Sequence, residues 1–226
     1  MFNKIILELL QGFGVTLSLF AITLILSLPL GLLICFGSMS KFKPLSYFSK
    51  GLIWVIRGTP LMLQIIMVSF LPKFLFGVLN KDLAGFLGVS TKSLLFIFVA
   101  VAFIINYAAY FSEIFRSGIQ SISDGQYEAG QVLGMTKRQI FFKVVLMQVV
   151  KRIIPPMSNE IITLVKDTAL AQILGVVDLL NAANHAVNAY VVLSPLVYAA
   201  IFYLLFNGLL TIIFGRIEKK LSYYRN

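Results

Sequence analysis

Long uncharged runs separated by short polar links set the rhythm of this chain. Residues 9–40 carry no charged side chain, and a helix over Gly14–Gly37 fits as a first span. About 20 apolar residues cross the hydrocarbon core of a bilayer. Pro29 and Gly31 inside this run predict a kink, tolerable where neighbouring helices repair the backbone. The run is too long for a signal-peptide core, and no small-x-small site leads into a polar segment, so it reads as a span. A second apolar run, Gly51–Leu71, is broken near its start by Arg57-Gly58-Thr59-Pro60. Its predicted span is Pro60–Leu79, followed by a loop with a short interfacial helix at Leu83–Leu87. Ser93–Phe115 is the clearest span. The fourth, Ile153–Val177, opens on Pro155-Pro156 and is weakened by Glu160, Lys166 and Asp167. Asp178–Ala189 reads as a polar loop, and Val191–Phe214 as the fifth span.

Composition turns this pattern into a class. Of 226 residues, 59% are hydrophobic and 12% charged. A soluble domain carries roughly 25% charged residues, so this chain cannot cover a globular surface. The expectation is an all-α integral membrane protein of five transmembrane helices, a single domain over residues 1–226. The net charge of +10 does not mark a nucleic-acid binder, because the basic residues sit between the apolar runs. Fourteen of them fall on one side of the predicted membrane, from Lys41 to Arg57, Arg116 to Arg152 and Arg216 to Arg225. Lys4, Lys73, Lys81, Lys92 and Lys166 fall on the other. By the positive-inside rule, the N-terminus is outside and the C-terminus cytoplasmic.

The longest polar interruption, Glu113–Gln148, is then cytoplasmic, with a connecting loop over 117–150. Ser121 or Ser123 can cap a helix whose first turn carries Asp124, an acid suited to a helix N-terminus. Tyr127–Leu133 forms that helix, with small residues Ala129 and Gly130 on one face where another surface could approach. Gly134 suits a left-handed C-cap, and Thr136 can cap a following helix, Lys137–Val150, that runs into the membrane. Such a helix–glycine–helix hairpin is a rigid peg.

The chemistry that is absent narrows the function. Cys35 and His185 each stand alone, so no disulfide, thiol–metal or histidine cluster can form within the chain, and no metal-ligand spacing occurs. There is no catalytic triad and no G-x-x-x-x-G-K-[ST] to cradle nucleotide phosphates. A membrane chain without these groups is expected to offer a path rather than a chemistry of its own. An acid inside a span is a functional candidate by default. Glu160, beside Asn159, either lines the path, where it would meet an ammonium group, or pairs with Lys166 or Arg57. Lys166 and Asp167 suit an ion pair capping the outer end, with substrate contact as the alternative, and Glu113 with Arg116 an intrahelical pair.

Several motifs in one order carry a resemblance. Glu128-Ala129-Gly130, Gly134, then Val144 and Leu146 follow the register E-A-A-x-x-x-G, nine residues, I-x-L-P. Arg57-Gly58-Thr59-Pro60-Leu61 with Gln64 is similar to R-G-T-P-L-x-x-Q. Pro155-Pro156, Asn159-Glu160, Ile162 and Lys166-Asp167-Thr168-Ala169-Leu170 are similar to P-P-x-x-N-E-x-I-x-L-x-K-D-T-S-L. Over most of its length the chain thus resembles permease subunits of bacterial ATP-binding-cassette importers of polar amino acids. Gly130, Met147 and Ala169 depart from the Ala, Pro and Ser of those patterns.

The resemblance implies a type I importer fold, a multi-pass place in the bacterial inner membrane, and a coupling helix between spans 3 and 4. It implies ATPase-coupling roles for Tyr127, Glu128, Ala129, Gly130 and Gly134. Arg57, Thr59, Gln64, Asn159, Glu160 and Thr168 become substrate-path candidates. The implied partners are a second permease subunit, two cytoplasmic ATP-binding subunits that hold ATP and magnesium, and an external amino-acid-binding protein. No cofactor is expected in this chain. The alternative is a secondary transporter driven by an ion gradient; those commonly show inverted repeats, and none is visible here. An intramembrane enzyme lacks a catalytic constellation.

Overall fold

A computed structural model describes residues 2–221, which are helical apart from short links and contain no strand. Arg225, counted above with the basic tail, lies outside the described residues. Helix α1 runs from Phe2 to Ser38 and passes Pro29 without interruption. It starts well before the predicted span because its polar shoulder is amphipathic: Ile5 and Leu9 are fully buried. The clearest span appears as α5 (Thr91–Gln120), started by the Ser90 side chain accepting from the Ser93 amide. α1 and α5 approach closely at Gly31, where a Cβ would lie 2.9 Å from the Ala108 carbonyl oxygen and 3.0 Å from Phe111 Cβ. Leu19, Ile65, Val99, Phe103, Phe111 and Leu164 form the main core around this contact. Gly31→Leu is therefore expected to destabilise the bundle by ~1–3 kcal/mol, read as a lower midpoint in SDS-induced unfolding.

The second apolar run is two helices. α2 (Lys43–Arg57) and α3 (Leu61–Phe76) are bent by 111° at the Gly58–Pro60 break. Pro60 has extended geometry and Gly77, at φ 67°, stops α3 short of the predicted Leu79. α4 (Asn80–Phe86) is the expected short helix, three residues early.

The fourth run differs most from its sequence-based boundaries. α8 (Leu146–Asp167) begins upstream, so Pro155 and Pro156 lie inside the helix rather than opening it. It ends at Asp167 and tightens into a 3-10 segment, Thr168–Leu174, closed by Gly175 in the left-handed region. The predicted polar loop that follows is instead a helix, α9 (Leu179–Tyr190). Asp178 caps it, accepting from the Leu180 and Asn181 amides at 3.1 Å each. Ala182, Ala183 and Ala186 bury one face of α9 against Ile5 and Leu9. A Cβ on Gly12 would sit 2.8 Å from Ala182 Cβ. α10 (Ser194–Leu221) completes the bundle, reaching beyond the predicted Phe214.

Among the described residues, α1, α5 and α10 are long and apolar enough to cross a membrane, and the bent α2–α3 pair qualifies if counted as one span. α8 is about 33 Å long at 1.5 Å per residue, but carries Lys151, Arg152, Glu160, Lys166 and Asp167. The last turns of α5 and the first of α8 meet where Arg152 donates to the Ser121 carbonyl. α8 is tied to the last turns of α10 by Ser158 Oγ donating to Glu218 Oε1 at 2.6 Å. The C-terminal ends of α5 and α10 and the start of α8 therefore gather at one end of the bundle.

Candidate functional site: an inner cavity and an exposed hairpin

The Gly58–Pro60 break opens a cavity of about 470 Å³ between α2, α3, α5 and α8. The break is braced from below by Gln64. Its Nε2 donates to the Ile56 carbonyl at 2.8 Å, the Thr59 carbonyl at 3.1 Å and Thr59 Oγ1 at 2.8 Å. Its Oε1 accepts from Asn106 Nδ2 at 3.0 Å. Both side chains are buried, so the amides satisfy a turn that would otherwise leave unpaired carbonyls in an apolar setting. Gln64→Leu would strip these bonds and orphan Asn106. The expected result is a loss of ~1–3 kcal/mol, seen as a lower unfolding midpoint together with reduced transport.

Glu160, Thr163 and Asp167 line one wall of the cavity, at spacings of three and four residues on a single face of α8. Asp167 Oδ2 accepts from Tyr107 Oη at 2.7 Å. The facing wall holds Arg57, whose guanidinium lies 5.2 Å from the centre of the Tyr110 ring and 3.7 Å from Glu113 Oε2. Glu113 is held by Arg116 through two bonds, 2.9 Å to Nε and 2.6 Å to Nη2, the expected intrahelical pair. Glu160 makes neither expected ion pair: no cation lies within salt-bridge distance of it among the described residues. Lys166 and Asp167 likewise form no ion pair, since Lys166 is exposed and Asp167 turns toward Tyr107.

Of the path candidates, Arg57, Thr59 and Glu160 come together in the cavity. Gln64 braces it. Asn159 is exposed outside it, and Thr168 is fully buried with its hydroxyl on the Val165 carbonyl. Asn106, Tyr107, Tyr110 and Thr163 also line the cavity and were not among the sequence candidates, and Asp167, expected as half of an ion pair, lines it too. Asn106, the one amide in an uncharged span, was the available signal. A smaller cavity of about 290 Å³ between α1 and α9 is lined by Glu8, Gln11 and His185.

The polar stretch after α5 folds as a hairpin. α6 (Asp124–Val132) starts after Ser123, whose side chain makes no capping bond. Gly134 adopts φ 73°, the left-handed geometry expected of it. Thr136 opens α7 (Lys137–Ile140) with a complete capping box, reciprocated by Gln139. The expected continuous helix to Val150 is interrupted by a π turn over Phe141–Val145 before α8 begins. Met147 therefore continues α8 where the family pattern has a kinking proline, and the irregularity falls in the turn before it.

Ala129 and Gly130 do not share a face. Gly130 is buried inside the hairpin, where a Cβ would lie 2.6 Å from Ile140 Cγ1. Glu128, Ala129 and Gly134 are exposed, and Tyr127 is half-buried against Ile122 and Ile140. Val132 and Leu133 extend this outward surface, 88% and 79% exposed. Gly130→Leu is expected to spring α6 from α7. Protease cleavage between Val132 and Lys137 would then accelerate while the bundle stays intact.

Fold and site define an all-helical chain with spans apolar enough to cross a membrane, a polar inner cavity and an exposed helical hairpin. The chain belongs to the family of binding-protein-dependent transport system inner membrane components, whose model matches residues 27–223. It is a transport subunit rather than an enzyme. It is 34% identical over 216 residues to the arginine transport system permease protein ArtQ of Bacillus subtilis (strain 168), covering 95% of this chain and 92% of that one. It is 31% identical over 221 residues to a putative glutamine transport system permease protein GlnP of Rickettsia bellii (strain RML369-C), covering 97% and 95%. Among solved structures, an amino acid ABC transporter with histidines matches with a TM-score of 0.81 at 28% identity, covering 97% of this chain and 96% of that one. The inward-facing MetNI methionine ABC transporter matches in fold, with a TM-score of 0.71 at 17% identity and coverage of 98% and 99%.

Proposed function

We propose that this chain is the permease of an ATP-driven amino-acid importer and that the cavity between α2, α3, α5 and α8 lies on its substrate path. The observation that carries this is the pairing of Glu160 and Asp167 on one wall with Arg57 on the other. An amino acid presents an ammonium group and a carboxylate. A carboxylate wall and a guanidinium fork complement these two groups with charge-assisted hydrogen bonds. Charges at this depth are costly, so three of them around one space favour a transported ion. The relatives named for arginine and glutamine support the substrate class.

The wider assembly follows the family. Five spans would cross the bacterial inner membrane, with α8 as the fourth, its charges facing the path, and α10 as the fifth. The N-terminus lies outside and the C-terminus in the cytoplasm. A second permease, identical or paralogous, completes the pathway. Two ATP-binding subunits hold ATP and magnesium and receive the α6 hairpin, and an external binding protein delivers substrate. Closure of the motor pair biases a two-state gate through the pegs. The test is ATPase activity of the reconstituted complex with binding protein and arginine, histidine, glutamine or cystine in turn. Stimulation by at least one of the four is expected; no stimulation by any amino acid would overturn the substrate class.

A further inference from the structure

The α2 helix carries a pattern that gating does not use. Three stripes run along it at helical spacing. Ser46, Ser49 and Ile53 are buried, with Ser46 Oγ donating to the Ser38 carbonyl at 2.8 Å and the last turn reaching Tyr110 and Glu113 of α5 through Arg57. This stripe fastens α2 across the end of α1 and onto α5. Leu45, Phe48, Leu52 and Val55 form the second stripe, apolar and outward except for half-buried Leu52. Lys43, Tyr47, Lys50 and Trp54 form the third, all exposed, with Tyr47 at 70% and Trp54 at 78%.

Position explains the pattern. Gly31 of α1 packs at the level of Ala108–Ser112 of α5, and α2 begins just beyond the end of α1. Its 15 residues span about 22 Å at 1.5 Å per residue, yet it is bent by 111° from α3. With α3 crossing the membrane, α2 lies close to the membrane plane. An interfacial helix sets an apolar stripe into the acyl boundary and keeps lysines and amphipathic aromatics at the headgroups. Lys41, Lys43 and Lys50 have no ion-pair partner among the described residues, and no acidic residue occurs between Glu8 and Asp82. Among the described residues the one carboxylate in an ion pair with α2 is Glu113, at Arg57 in its last turn.

We propose that the Lys43–Tyr47–Lys50–Trp54 stripe of α2 is a binding surface for anionic phospholipid headgroups. The occupant is a phosphodiester lipid with net negative charge, held by the lysines while Tyr47 and Trp54 sit at its glycerol level. Because α2 ends at Arg57, the lipid also steadies one wall of the cavity. The site requires the membrane placement of α3 but not the substrate assignment.

Trp54 is the only tryptophan in this chain, so its emission is the difference between complexes carrying Trp54 and Trp54→Phe. The experiment places both complexes in nanodiscs containing phosphatidylglycerol or phosphatidylcholine with brominated chains, at equal mole fraction. Each lysine near an anionic surface strengthens attraction ~5-fold. Trp54 emission should therefore be quenched several-fold more effectively by the brominated phosphatidylglycerol. Lys43→Gln with Lys50→Gln should abolish that preference, and arginine at both positions should keep it. Equal quenching by the two lipids would overturn headgroup recognition. Absence of quenching by either would also overturn the proposal, because the stripe would then be out of contact with lipid. A preference that survives the double glutamine variant would place the lipid elsewhere.

Discussion

Glu160→Gln is expected to lower the apparent affinity for a cationic amino acid in transport ~10–100-fold while leaving assembly intact. The carboxylate is half-buried in the cavity wall, with no hydrogen bond or ion pair among the described residues. Hydrogen bonds to a charged group contribute about 1.5–3 kcal/mol, and 1.4 kcal/mol is tenfold in affinity. The amide has the same shape and fills the same space, so packing around Ile161 and Leu164 is unaffected. A neutral amino acid, which engages the wall only through its ammonium group, should lose less than arginine. Uptake kinetics in proteoliposomes with the two substrates read the difference directly. Identical kinetics for wild type and variant with both substrates would give Glu160 a structural role.

Replacing Val132 and Leu133 together by aspartate is expected to abolish ATP-driven uptake and leave the permease folded. Both side chains stand in water in the isolated chain, so their replacement relieves apolar exposure rather than opening a core. Docked in a groove of the ATP-binding subunit, each would contribute ~1.5–3 kcal/mol of apolar burial. Losing both, and placing two carboxylates in that groove, should weaken docking by a factor of ~100 or more. Glu128 and Ala129 lie one turn back on the same hairpin and would remain in place. The discriminating readout is co-purification of the ATP-binding subunits alongside SDS-unfolding of the permease. Loss of the first with retention of the second is the expected pattern; normal co-purification and uptake would remove the hairpin from the motor interface.

The parts of this molecule legible in its sequence are those fixed by local chemistry. Gly134 in the left-handed region and the Thr136 capping box follow from residue type and spacing alone. The apolar cores of α1, α5 and α10 follow from the absence of charge. What stayed hidden depends on contacts distant in sequence. α9 read as a loop because its asparagines have weak helix propensity; burial of Ala182, Ala183 and Ala186 against α1 overrides that weakness. Gly130 looked like part of a docking face, but Ile140, ten residues away, makes it an internal contact. Gln64 looked like a path residue by its place in a motif, and its amide is already committed to the Ile56–Thr59 backbone. Asp167 looked like half of an ion pair with its neighbour because sequence shows neighbours. Its bond to Tyr107 spans 60 residues.

The most direct test of energy entering through the α6 hairpin is accumulation, in proteoliposomes containing this permease with and without its ATP-binding subunits and binding protein, of whichever labelled amino acid stimulates the ATPase of the reconstituted complex. The predicted result is accumulation only with ATP and all partners present, abolished by the Val132→Asp/Leu133→Asp variant. Accumulation by the permease alone under an imposed ion gradient, without ATP, would contradict it.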